Sequence, residues 1–270
     1  MCAKIALAQL NASDNPMDNL KTIEQYAIQA HQKGADLLVL PEYTMAYPKH
    51  GHPFSEGQSL QGSLCAGLCE LARTQDLYIV CGMLEKNDTD KPYNTTVIID
   101  RQGKIVRSHR KTHLFASPKY REDDHFSQGN TLFEPFDTDF GRIGLLICYE
   151  IRFPELARLQ ALAGAEILIV SSAFVAGENK AQQWHTLLQA RAIENAVFVC
   201  AANHSKPHVF LGESCAYDPN GLPLGSLTDG EGMLLVSCEA KDLEKFRKTN
   251  GAILQRRPEL YGFACEKTSS

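Results

Sequence analysis

Three things are missing from this chain of 270 residues, and each absence narrows what it can be. No apolar run reaches the ~18 residues needed to span a bilayer, and the hydrophobic stretch in residues 1–10 is too short for a secretory signal peptide. A basic excess is missing too: 27 Lys+Arg stand against 32 Asp+Glu, a formal net charge of −5. Phosphate binding needs clustered cations, so no nucleic-acid partner is expected. Finally, no low-complexity segment, charge block or internal repeat suggests a flexible linker. Roughly 150 residues per domain allows one large domain or two small ones; without a linker, one domain over 1–270 is expected. The expected location is cytoplasmic.

Cysteine, by contrast, is plentiful. There are nine, at 2, 65, 69, 81, 148, 200, 215, 238 and 265. They are odd in number and scattered through a chain long enough to bury a core without staples, so they read as free thiols rather than a disulfide scaffold. Cys65 and Cys69 lie one helical turn apart, but no second pair accompanies them and packing explains them better than zinc. No metal is expected.

Short runs rich in Ile, Val and Leu at 4–10, 36–40, 78–84, 95–100, 143–148, 167–171 and 197–201 read as buried strands. Helical patterns alternate with them. Residues 17–34 repeat apolar positions at Leu20, Ile23, Ala27 and Ala30 before a glycine stop, and further helices are predicted at 61–74, 154–163 and 181–195. Turn residues at 100–103 and 218–221 predict hairpins, so an α/β fold with mixed sheets follows.

Three strand ends carry chemistry. Residues 37–40 run straight into Pro41 and Glu42, placing a carboxylate where a strand leaves the sheet. The basic cluster 107–113 contains Lys111 just after a strand-like stretch; such a run is also what a solvated face looks like. The strand 142–147 ends at Cys148, and Pro154 then opens a helix. A thiol at a strand-to-helix turn has the logic of a nucleophile elbow, with backbone N–H groups facing developing negative charge. A cysteine nucleophile needs a base and an oxyanion partner. Glu42 and Lys111 could fill those roles; His109, His113, His125 and His185 keep a Cys-His pairing open.

At these residues the sequence resembles the nitrilase superfamily of carbon-nitrogen hydrolases. Pro41-Glu42-Tyr43, Arg110 to Phe115 and Ile147 to Leu156 are similar to that family's glutamate, lysine and cysteine motifs, in order. The likeness extends through 164–166, 172–174, 187–195, 212–214 and 256–261, nearly the whole chain. The resemblance implies a four-layer αββα sandwich, a Glu42–Lys111–Cys148 site and, on the loop 120–129, a second glutamate at Glu122. It also implies homodimers formed by stacking sandwiches, with 250–270 a tail at the interface.

Departures occur at Gln128, where the family often has proline, at Glu150, where it often has aspartate, and at Gln183-Trp184-His185, where His-Trp-Glu is frequent. The implied reaction is hydrolysis of a small amide to carboxylic acid and ammonia through a thioester on Cys148. Glu42 acts as base, and Lys111, whose charge favours the ionised thiol, and the Tyr149 backbone N–H hold the oxyanion. No cofactor is required. The amidase branches fit better than true nitrilases; N-carbamoyl-amine hydrolysis and nitrile hydrolysis are the alternatives, and a non-catalytic binding protein of the same fold is disfavoured by the intact Glu42, Lys111 and Cys148. Candidate substrate contacts are Tyr43, Arg152, Phe174 and Trp184, with Tyr47 and His50 as further pocket walls. Arg152 could meet a substrate carboxylate or pair with Glu155 or Glu194.

Overall fold

A computed structural model describes residues 2–45, 57–118 and 120–261. Tyr47, His50 and the end of the tail beyond 261 lie outside them.

In chain order the elements are β1 (Cys2–Gln9), α1 (Pro16–Gln32), β2 (Leu37–Val39), α2 (Ser63–Thr74), β3 (Tyr78–Glu85), β4 (Tyr93–Ile99) and β5 (Ile105–Arg110). A two-stranded ribbon, β6 (Ala116–Ser117) and β7 (Tyr120–Arg121), precedes a 3-10 turn at Glu122–Asp124. The second half begins with β8 (Phe136–Thr138), β9 (Gly141–Ile147), a 3-10 turn at Cys148–Arg152, α3 (Pro154–Leu162), β10 (Ile167–Ser172) and α4 (Lys180–Asn195). It continues through β11 (Phe198–Asn203), a second ribbon of β12 (Ser205–Lys206) and β13 (Phe210–Leu211), β14 (Cys215–Tyr217), β15 (Pro223–Ser226), β16 (Gly232–Glu239) and α5 (Ala240–Thr249).

Two six-stranded sheets result, in the orders β16-β1-β2-β3-β4-β5 and β15-β14-β11-β10-β9-β8. Each has three parallel strands at its centre, β1-β2-β3 in one and β9-β10-β11 in the other, with antiparallel strands outside them. Side chains alternate between faces along a strand, and the chain is apolar on both. Ile5 and Leu7 join Ile143, Leu145, Ile167 and Ile169 in a core between the sheets. Ala6, Ala8 and Leu38 pack instead against Ile23 and Ala27 of α1 and Leu68 of α2. On the far side Leu146, Leu168 and Val170 pack against Leu156 of α3 and Trp184 and Leu188 of α4. The layers therefore run helix, sheet, sheet, helix, as expected.

Local signals agree with this. Pro16 opens α1 behind the Asn15 side chain, which accepts from the Met17 N–H at 3.0 Å, and Gly34 ends the turn at φ 69°. All seven predicted strands and all four predicted helices are present, with both hairpins. Missed were the edge strand β16 and α5, a short helix of low overall hydrophobicity that buries only Leu243.

Candidate active site

The carboxyl ends of β2, β5, β9 and β10 meet at one edge of the sandwich, and the chain leaves each carrying a polar group. Beyond β2, Glu42 is buried (1% exposed). Gly82 of β3 lets this turn approach: a Cβ there would lie 2.6 Å from Glu42 Cα and Tyr43 N. Beyond β5 the basic cluster divides by burial. Arg107 and Arg110 are exposed, with Arg110 bonded to Glu85, while His109 and Lys111 are buried. Beyond β9, Cys148 sits at φ 43°, a left-handed backbone that a non-glycine residue adopts at a cost.

Lys111 ties the carboxylates together. Its Nζ donates to Glu42 Oε1 and to Glu122 Oε1, both at 2.8 Å. Asn94 Nδ2 donates to Glu42 Oε1 at 2.7 Å, and the Ala173 backbone N–H to Glu42 Oε2 at 2.9 Å. Glu122 also accepts from the Tyr43 hydroxyl at 2.7 Å and the Phe115 N–H at 2.6 Å. Of the three neighbouring acids in this loop, Asp123 and Asp124 are exposed and Asp123 pairs with Arg121. Burial singles out Glu122.

Protonation follows from this crowding. Burial raises the Glu42 carboxyl above its ordinary range, Lys111 opposes it, and the negative Glu122 adds to it. Burial works against the Lys111 ammonium, but Glu122 and Glu42 outweigh it and hold the amine charged, well above its ordinary range. The Cys148 thiol is pushed up to about 12, by burial first and then by the negative Glu42, with Lys111 and the Ser172 hydroxyl pulling the other way. Lys111 thus favours the ionised thiol as expected, but burial first and then the two glutamates act against it.

The other candidates divide. Tyr43, itself at φ 59° and stacked on Phe126, belongs to the charge cluster through its hydroxyl. Tyr149 follows Cys148 in the 3-10 turn, its ring edge-on to Phe115 and Phe153. Phe174 is flanked by the Arg152 guanidinium and the Lys180 ammonium, each 5.7 Å from its ring centre. Arg152 bonds Gln183 at 2.7 Å, whereas Glu194 is taken by Arg191. Trp184 is a correction: it is wholly buried between Phe174 and the helices, its indole N–H donating to the Glu213 carbonyl, so it is core and not a pocket wall.

The histidine alternatives are engaged elsewhere. His109 meets Glu150, His113 meets Thr112, His185 meets Glu213 and Tyr217, and His125 stacks on Tyr120. Asn94 was missed because it lies inside β4, where nothing in the pattern marks a polar residue as special. Among the described residues no cluster of three or more His, Cys, Asp or Glu could hold a metal ion, and no helix is long and apolar enough to cross a membrane.

Residues 4–248 match the family model described as carbon-nitrogen hydrolase. Deaminated glutathione amidase of Mus musculus is 33% identical over 273 residues, covering 96% of this chain and 84% of that one. Omega-amidase NIT2 of the same organism is 30% identical, covering 98% of both. A carbon-nitrogen hydrolase from Helicobacter pylori superposes with TM-score 0.88 at 25% identity, covering 96% of this chain and 97% of that one. The Nesterenkonia amidase superposes with TM-score 0.79 at 27% identity, covering 96% and 95%; a mutant of it carries the acetamide moiety of fluoroacetamide covalently added at the active-site cysteine.

Proposed function

The chain belongs to the carbon-nitrogen hydrolase family, in the amidase-like branch of the nitrilase superfamily, and on that premise we propose how its own residues cleave an amide. The observation that carries the proposal is the buried Lys111 ammonium, 2.8 Å from both Glu42 and Glu122, beside a thiol raised on a left-handed turn.

Glu42 takes the proton of the Cys148 thiol as sulfur attacks the amide carbonyl carbon. A protonated resting thiol demands such a base, and a buried carboxylate with a raised pKa is a strong one. The carbonyl oxygen becomes an oxyanion facing Lys111 and the Tyr149 N–H. Glu42 returns its proton to the leaving nitrogen, ammonia departs, and a thioester stays on sulfur. Glu42 then takes a proton from water, whose oxygen attacks the thioester carbon; the acid is released and the sulfur regains its proton. Glu122, fixed by Tyr43 and the Phe115 N–H, keeps Lys111 charged and in place. None of these steps calls on a cofactor.

The substrate we propose is a small amide bearing a carboxylate. Arg152 and Lys180 support this, two cations each 5.7 Å from the ring centre of Phe174, the residue after Ala173, whose N–H holds Glu42. We further propose that the chain acts as one domain and works as a homodimer.

Ammonia release tests the reading, measured over carboxylate-bearing, neutral aliphatic and N-carbamoyl amides and a matched nitrile. The expected result is turnover of the first group, a thioester adduct on Cys148 by intact mass, and neither in Cys148→Ala. Turnover by Cys148→Ala would refute the nucleophile, and preference for the nitrile would refute the amide.

A further inference from the structure

A further buried carboxylate lies at the same edge of the sandwich and takes no part in the steps above. Glu150, two residues after the nucleophile, is fully buried. Its Oε1 accepts from the Thr112 backbone N–H at 2.8 Å and the Thr112 hydroxyl at 2.7 Å, and its Oε2 from the Ile147 backbone N–H at 2.8 Å. His109 Nε2 lies 3.2 Å from both oxygens. Thr112 is the residue after Lys111, and Ile147 is the residue before Cys148.

We propose that Glu150 is a positioning residue for amide cleavage: one carboxylate clamps the backbone beside Lys111 to the backbone beside Cys148 and so sets the distance between oxyanion partner and nucleophile. The inference rests on the reading of Lys111 and Cys148 given above.

Three features support it. Lys111 follows β5 of one sheet and Cys148 follows β9 of the other, so no ladder hydrogen bond fixes their relative position. Glu150 spans that gap, within the turn that presents the thiol. The partners of Glu150 are the Thr112 and Ile147 backbone N–H groups, the Thr112 hydroxyl and the His109 ring, none of them a group the proposed steps use. The donor set also demands an ionised carboxylate, which is acceptor-only at both oxygens. Glutamine has the same size but must turn an NH2 toward either the Thr112 pair or the Ile147 N–H, replacing an attraction by a donor-to-donor contact on one side of the clamp.

The test is Glu150→Gln in the full chain, read by steady-state kinetics and by the single-turnover rate of acyl-enzyme formation. Displacement by about 1 Å costs on the order of 100-fold in rate. The expected result is a kcat and acylation rate lower by about that factor, with KM changed less than about three-fold and the same number of thiols titrated by a haloacetamide. A kcat within about two-fold of wild type would overturn the proposal. So would a loss accompanied by additional titratable thiols, since a merely structural role would expose the buried Cys65, Cys81, Cys200, Cys215 and Cys238. If Glu150→Gln does not fold, Thr112→Val and His109→Gln each remove a single partner; a kcat loss of about five-fold at unchanged KM, the worth of one hydrogen bond, supports the clamp and unchanged kcat in both refutes it. Cys148→Ala in the same assay separates the two readings: if it turns over, the nucleophile assignment fails rather than the clamp.

Discussion

Glu42 and Glu150 are both buried glutamates at the same edge of the fold, yet their protonation is pushed in opposite directions. Glu42 is raised; Glu150, although burial opposes its charge, is held at about 2 by the hydrogen bond and field of His109 and by its Thr112 and Ile147 donors. Burial is common to the two, so the neighbours decide. Glu42 has three donors but shares its ammonium with a second carboxylate, Glu122, which repels it. Glu150 has three donors and an imidazole of its own, with no acid against it. A carboxylate left partly uncompensated can accept a proton; one that is saturated can only hold its surroundings still.

The comparison breaks most sharply at Glu42. Glu42→Gln keeps the shape and removes the base, and kcat/KM should fall by on the order of 1,000-fold, with no thioester mass appearing on Cys148; rapid accumulation of that mass would remove Glu42 from the acylation step. In the wild type the acid limb of kcat/KM should lie above the ordinary 4.5 of a glutamate, because Glu42 must be ionised to accept the thiol proton. Activity therefore declines as pH drops through that raised pKa, and a limb at or below 4.5 would contradict it.

Glu150 predicts the reverse behaviour, in stability. Its folded pKa is depressed from 4.5 to about 2, so its contribution is present above the unfolded value and is lost as pH falls from about 4.5 towards 2. The depression corresponds to about 3 kcal/mol. Urea unfolding should show wild type losing about that much more stability than Glu150→Gln across this window, and parallel losses would show that the carboxylate is not compensated as described.

A smaller effect is expected at Glu122. Glu122→Gln leaves Lys111 with one carboxylate and should lower kcat by about 10- to 100-fold, within the range ordinarily lost with one charged active-site contact. Its neighbour makes the control. Asp123 is exposed and paired only with surface Arg121, so Asp123→Asn should leave kcat and stability unchanged within error; equal losses at 122 and 123 would mean that burial does not discriminate them.

Sequence reading reached the parts of this site whose signals are local. Glu42 follows an apolar strand and a proline, and Cys148 ends a strand just before a helix-opening proline, so each announces its place within ten residues. Lys111 stood hidden in a basic run in which only burial separates it and His109 from the exposed Arg107 and Arg110. The parts that escaped depend on what lies across the sandwich. Asn94 looks like any residue of β4, and Glu150 looks like an ordinary helix-start acid; both acquire meaning only when β5, β9 and β10 close around them. Trp184 failed in the opposite sense, because its closeness to motif residues in sequence said nothing about which side of α4 it occupies. At fold level the buried central strands were plain, whereas the edge strand β16 and the mostly polar α5 were not.

The Ala173 N–H that holds Glu42 comes from a residue 131 positions away, and the Ser171 hydroxyl reaches the Leu40 carbonyl across the same span. Glu42 and Cys148, the proposed base and nucleophile, are thus contributed by opposite halves of the polypeptide and meet only after the long loop between them has closed. Recovery of turnover during refolding would then clock the docking of one sheet on the other, and two separately expressed halves of the chain would regain activity only in step with their reassociation.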